Sequence, residues 1–148
     1  MKKLKPLEYA LWLLGKQDRS IGEMEEKLRR RECSKEEISK TLDFLISNKF
    51  LDDQKFAENF VRFKKSLKPV GKYYLRSKLL AKRVPNEIIE KVLLENSDEL
   101  SEISKAANHF FAENKKIPKE KIYQKLVRHL LSRGFEWEKV REVVSGKM

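Results

Sequence analysis

Five columns of apolar residues recur along this chain at a single offset. Met24, Leu75 and Leu126 lie 51 positions apart, as do Leu28, Leu79 and Leu130. The same step of 51 links Cys33, Val84 and Phe135, then Ile38, Ile89 and Val140, then Leu42, Leu93 and Val144. An offset kept through five triplets marks one structural unit present three times, and it constrains the fold more than any single motif does. Inside each unit the apolar spacing follows the helical period. Breakers are scarce, with 5 glycines and 4 prolines in 148 residues, which favours helices joined by short turns over an all-β chain.

The repeated unit reads as three helices. The first helix starts near Pro6, tolerated in a first turn, and runs to about Gln17. Ser20 with Glu23, and Ser34 with Glu37, have capping-box spacing and open the second and third helices; Ile38, Leu42, Leu45 and Ile46 are expected to face inward on the third. Asp52 and Asp53 are expected to cap a fourth helix through Phe56, Ala57, Phe60 and Val61. Helices over 71–82, 85–95, 96–115, 118–133 and 136–145 complete the pattern. The predicted fold is all-α, with three-helix repeats at 1–50, 51–96 and 97–148. A unit this small buries little alone, so neighbours are expected to stack into an elongated, gently curved array. Cys33 shares a column with valine and phenylalanine and reads as core; with no second cysteine it fits a reducing compartment.

Charge is unevenly spread. Lys+Arg of 34 against Asp+Glu of 23 gives a formal +11, a surplus suited to phosphates or an acidic protein surface. Between Glu58 and Glu87 there is no acid, yet Arg62, Lys64, Lys65, Lys68, Lys72, Arg76, Lys78, Lys82 and Arg83 all fall there, with Phe60, Phe63, Tyr73 and Tyr74 interleaved. On a helix through 71–82, Lys72, Arg76 and Arg83 fall within about 40° of one another, beside the Leu75–Leu79 core edge. Cations without counter-charges repel one another, and an anionic partner relieves that. The candidate contact residues are therefore Arg62, Lys64, Lys65, Lys72, Tyr73, Arg76, Lys78, Lys82 and Arg83. The competing reading is a solvated helix face whose lysine stems cover apolar surface. Lys125, Arg128 and Arg133 echo the pattern in the third unit. Arg29, Arg30 and Arg31 end a helix begun by Glu23, Glu25 and Glu26, which satisfies the helix dipole without a ligand.

Little else carries chemistry. Asp52 and Asp53, adjacent at a helix start, have no third acid or histidine to complete a metal site. His109 and His129 form no metal-spaced pair, and His129 shares a column with Lys27 and Lys78, which suggests a solvated basic position. No glycine-rich phosphate loop is present. Neither an enzyme nor a cofactor is expected. The apolar part of the N-terminus is broken by Glu8 and lacks a cleavage site, and no run approaches membrane-spanning length. A cytoplasmic monomer away from membranes is expected.

The run Lys49-Phe50-Leu51-Asp52-Asp53-Gln54-Lys55-Phe56-Ala57, continuing to Phe60-Val61, resembles the centre of the bacterial RecX regulatory proteins. Gly71, Leu75, Leu79, Lys82 and Val84 are similar in spacing to that family's next stretch, and Ala10-Leu11 with Ser20 and Leu28 to its start. The family usually has glycine where this chain has Glu32, Lys49 and Arg83, keeping it only at Gly134, so those three turns are expected to close differently. The resemblance implies an all-helical modulator of the recombinase RecA. Such a protein sits in the groove of the RecA–single-stranded DNA filament and blocks its growth or destabilises it, in DNA repair and recombination. The rival reading is a helix-turn-helix-like protein binding single- or double-stranded DNA directly.

Overall fold

The computed structural model describes residues 4–95 and 98–148. Among them are nine α-helices and no strand: α1 Pro6–Lys16, α2 Ile21–Arg30, α3 Lys35–Ser47, α4 Asp53–Leu67, α5 Lys72–Ala81, α6 Asn86–Glu95, α7 Glu99–Glu113, α8 Lys119–Ser132 and α9 Trp137–Lys147. The expected helix start at Asn96 and the repeat boundary at 96/97 lie outside the described residues. Both capping boxes form. Ser20 Oγ accepts from Glu23 N–H at 3.0 Å and Glu23 Oε1 from Ser20 N–H at 3.1 Å. Ser34 and Glu37 make the same reciprocal pair at 3.1 and 2.8 Å.

Helix ends are as regular as helix starts. Glu32, Lys49 and Arg83 have φ of 63°, 60° and 63°, and Gly134 has 87°. The expectation that the three non-glycine turns close differently is thus corrected: all four take the left-handed conformation. Their hydrogen bonds explain why. After α2, Cys33 N–H reaches Leu28 O and Glu32 N–H reaches Arg29 O. Phe50 to Leu45, Val84 to Leu79 and Phe135 to Leu130 repeat the longer bond, and Lys49, Arg83 and Gly134 repeat the shorter one. This is the Schellman closure, with an apolar residue after the turn folding back on the last turn of helix. The two bonds, with the apolar contact of Cys33 after Glu32 and of Val84 after Arg83, offset the roughly 1 kcal/mol that a side chain costs in a left-handed cap; after Lys49, where Phe50 is exposed, the bonds act alone. Two of the five sequence columns, Leu28/Leu79/Leu130 and Cys33/Val84/Phe135, are the two ends of this closure.

The chain divides into two compact units, Met1–Phe60 with Leu79–Val92 and Val61–Lys78 with Leu93–Met148, so the division falls inside α4, α5 and α6. In the first unit α1, α2 and α3 pack pairwise over Ala10, Leu13, Met24, Leu28, Leu45 and Leu51. In the second α7, α8 and α9 pack pairwise over a core that includes Ile103, Ala107, Leu126, Leu130, Phe135 and Val140. Full burial of each such leucine or isoleucine is worth about 1.5–3 kcal/mol. The repeat columns are buried in the second and third repeats, whereas Cys33, Ile38 and Leu42 of the first are half-buried. Ile46, expected inward, is exposed: the buried stripe of α3 passes through Thr41 and Leu45, and Ile46 lies one step round the helix from it.

The two aspartates have separate roles. Asp52 Oδ1 accepts from Lys55 N–H at 3.1 Å and caps α4. Asp53 does not serve its own helix. Its Oδ1 accepts from Ile21 N–H at 2.8 Å and so ties α4 to the first residue of α2. Burial pushes the Asp53 carboxyl above its ordinary range, and the Ile21 N–H partly opposes that.

Candidate functional site

Four of the nine cations in the acid-free stretch, Lys65, Lys72, Lys82 and Arg83, meet counter-charges supplied by flanking repeats. In the first unit, the turn after α5 lies against the start of α2. Ser20 Oγ, while accepting from Glu23, donates to the Lys82 carbonyl. Lys82 Nζ is 3.8 Å from Glu23 Oε2 and an Arg83 Nη is 3.7 Å from Glu26 Oε2. Gly22 makes the approach feasible, since a Cβ there would lie 2.6 Å from Arg83 Cβ and 2.8 Å from its carbonyl oxygen. Arg83 was placed by the helical wheel beside Lys72 and Arg76. That placement is corrected, because α5 ends at Ala81 and the left-handed residue turns the chain away.

In the second unit the start of α5 lies against the turn after α8. Gly71 N–H donates to Arg133 O at 2.8 Å and Tyr73 N–H to Gly134 O at 3.0 Å. Lys72 Nζ pairs with Glu136 Oε2 at 2.9 Å. The pairing raises the Lys72 ammonium above its ordinary range and lowers the Glu136 carboxyl below its own. Glu99, 7% exposed at the first position of α7, accepts from Glu136 N–H at 3.0 Å and stands 3.7 Å from Lys139 Nζ. Lys65 pairs with Glu102 at 2.7 Å. Lys65, Lys72, Lys82 and Arg83 are therefore partly structural, and the premise of a stretch without counter-charge is corrected. Its acids are distant in sequence and near in space.

What the second unit presents outward is narrower. Tyr73 is 51% exposed, with Lys72 Nζ 5.4 Å and Arg76 Cζ 5.5 Å from its ring centroid. Lys78 Nζ stands 5.5 Å from the Tyr74 ring. Arg62 is exposed and Lys64 half-buried on α4. An exposed ring flanked by cations suits stacking beside a phosphate. The arginine run behaves as helix-end charge: Arg29 meets Glu25 at 2.8 Å and Glu26 at 2.9 Å, and Arg30 meets Glu26 at 3.1 Å. His129 is corrected from a solvated position. It is half-buried, its ring 5.1 Å from that of Phe110, and burial lowers its pKa below the ordinary histidine range. In the first unit, Lys16 Nζ stands 4.0 Å from the Trp12 ring and Arg31 Cζ 4.2 Å from the Tyr9 ring. Trp12 and Lys16 are four residues apart on α1, a spacing that could have pointed to the pair, whereas Tyr9 and Arg31 have no local signal. Among the described residues no helix is long and apolar enough to cross a membrane, and no group of three His, Cys, Asp or Glu is placed to hold a metal ion.

Comparison with known proteins agrees with this architecture. The RecX first, second and third three-helix domains match residues 7–45, 52–93 and 97–144. The regulatory protein RecX of Prosthecochloris aestuarii is 37% identical over 145 residues, which cover 95% of this chain and 91% of that one. That of Chlorobaculum tepidum is 31% identical over 143 residues, 97% and 88% of the two chains. A crystal structure of RecX from Lactobacillus salivarius superposes with a TM-score of 0.86 over 96% of this chain and 94% of its own; at 23% identity it speaks to the fold alone. Three domain matches in order, together with relatives above 30% identity over nearly the full length of both chains, place this protein in the RecX family of regulatory proteins.

Proposed function

We propose that this protein is a negative regulator of RecA that binds the RecA–single-stranded DNA filament and blocks its extension or destabilises it, making and breaking no covalent bond. The observation that supports this reading is the exposed Tyr73 ring with Lys72 and Arg76 beside it, on the second helix of the middle repeat of a RecX-family chain. A ring of this kind offers a flat contact while the cations meet phosphate or acidic side chains. Arg62, Lys64 and Lys78 extend the charge, with Lys125 and Arg128 as further contacts on α8. Lys65, Lys82 and Arg83 are partly neutralised by Glu102, Glu23 and Glu26 and play a smaller part in the contact.

The test is RecA filament extension and DNA-dependent ATP hydrolysis with purified protein at stoichiometric amounts. The wild type should inhibit both. Tyr73→Ala with Arg76→Glu should lose at least about tenfold in potency, the loss of about 1.4 kcal/mol expected when a central aromatic–arginine contact is removed. An inert wild type, or an equally potent variant of unchanged helicity, would sink the proposal. Competition at fixed salt between preformed filament and naked DNA separates filament binding from direct DNA binding, which alone should weaken steeply with salt.

A further inference from the structure

A cleft of about 730 Å³ opens within the second unit, between the C-terminal end of α4, one face of α7 and the C-terminal end of α8. That volume lies inside the range of roughly 300–1,000 Å³ typical of small-molecule sites. The α7 face is continuous, since Glu102, Lys105, Ala106, His109, Phe110 and Glu113 follow helical spacing. Both acids on it are already engaged: Glu102 holds Lys65 at 2.7 Å and Glu113 lies 3.0 Å from His109 Nε2. Lys68, Lys105 and Arg133 also line the cleft and form no side-chain ion pair among the described residues. The same cleft is lined by two rings, Phe110 and His129, whose centroids are 5.1 Å apart and whose planes are tilted by 34°. Desolvation, then the nearby Arg133, lowers the His129 pKa below the ordinary histidine range and so favours the neutral imidazole, which both donates and accepts a hydrogen bond. Three unspent cations and a partly apolar floor that carries two rings call for a ligand that is anionic at one end and planar at the other.

We propose that this cleft binds a nucleoside phosphate, its base against Phe110 and His129 and its phosphate on Lys68, Lys105 and Arg133. The ligand is either a free nucleotide or one residue of a single strand. An exposed base gains from stacking on such rings whatever its sequence, and lysine and arginine meet its phosphate as point charge and fork. The site meets the Tyr73 segment at the end of α8, where Arg133 O and Gly134 O accept from Gly71 and Tyr73 N–H, but it uses other side chains and does not rest on filament regulation.

The experiment follows the His129 ring proton by NMR while dAMP, inorganic phosphate, deoxyadenosine or a short oligo-dA is added to the full chain. With dAMP the resonance should move and saturate at millimolar concentration or below, while phosphate alone and nucleoside alone bind at least about tenfold more weakly. Lys68→Glu with Lys105→Glu, both on exposed positions, should weaken dAMP at least tenfold and leave circular dichroism unchanged. Tyr73→Ala with Arg76→Glu, which removes the filament contact, should leave dAMP binding as it was. Tighter binding of oligo-dA than of dAMP assigns the site to a strand, and equal binding assigns it to free nucleotide; either supports the proposal. No saturable shift with dAMP, an equal shift with phosphate alone, or an intact response in the doubly reversed variant would overturn it.

Discussion

The two units each contain a seam between neighbouring repeats, and the 51-residue register makes the seams equivalent position by position. Ser20 corresponds to Gly71, Gly22 to Tyr73, Lys82 to Arg133 and Arg83 to Gly134. In both, the start of a second helix binds the carbonyl at the end of the next second helix, through the Ser20 hydroxyl in one unit and the Gly71 amide in the other. The glycines are distributed differently. In the first unit the only glycine at the seam is on the helix, and Arg83 places a Cβ against it. In the second unit both sides carry one: a Cβ on Gly71 would lie 2.4 Å from Gly134 C and O, and a Cβ on Gly134 would lie 2.3 Å from Tyr74 N. The second seam brings its backbones together with two missing side chains, the first with one.

The comparison can be broken most directly at Gly134. A Cβ there would lie 2.3 Å from Tyr74 N and 2.5 Å from Tyr74 Cβ, at a φ of 87°. Gly134→Ala should cost about 3 kcal/mol or more in urea unfolding, from overpacking and left-handed strain together. Arg83→Gly, the equivalent position, should change stability by no more than about 1 kcal/mol. Relief of backbone strain there opposes loss of a half-exposed ion pair of small value. A cost below 1 kcal/mol at Gly134 would remove the distinction between the seams.

A second, smaller effect tests what Gly22 accommodates in the first seam. Gly22→Ala should cost about 1–3 kcal/mol against Arg83. In the Arg83→Gly background the Cβ contact at 2.6 Å is gone and only the carbonyl at 2.8 Å remains. The alanine should then cost at least about 0.5 kcal/mol less, a coupling that a double-mutant cycle resolves. Additive costs would mean that Arg83 is not what Gly22 accommodates.

The smallest effect is in acid, where the seams respond with opposite sign. Glu136 is lowered from its ordinary 4.5 by Lys72, so its contribution is present above that value and is lost as pH falls through its folded pKa. Asp53 is raised from its ordinary 3.8 chiefly by burial, so its ionisation opposes folding and acidification relieves that cost. Thermal melts between pH 7 and 3 should show Glu136→Gln reducing the acid loss of stability and Asp53→Asn removing the opposing gain. If both variants shift the acid limb the same way, one of the two assignments is wrong. At the alkaline end Lys72 acts below its ordinary 10.5 and ceases to contribute only as pH rises through its higher folded value.

Helix starts were legible because a serine three residues before a glutamate is a local device, complete within four positions. Helix stops were legible in place but not in form. The columns Leu28/Leu79/Leu130 and Cys33/Val84/Phe135 marked them, while the expectation at Glu32, Lys49 and Arg83 weighed the missing glycine without the closing bonds. The candidate surface was legible only in half. Lys72, Tyr73 and Arg76 come from one helical turn, which periodicity brings together. Glu23, Glu26, Glu102 and Glu136, which pair with Lys82, Arg83, Lys65 and Lys72, lie one repeat away and have no local signal. Asp53 misled for the same reason, since an aspartate at a helix start looks like its own helix's cap.

By itself the sequence determined the three-fold helical plan, the family and the concentration of positive charge in the middle repeat. Periodicity, capping and composition act over a few residues and are written where they act. Only the tertiary structure decided which of those charges face outward, which glycines each seam requires, and that a cleft with a His129–Phe110 floor lies beside α7. Those outcomes depend on which repeat packs where, and packing joins residues that the chain holds far apart.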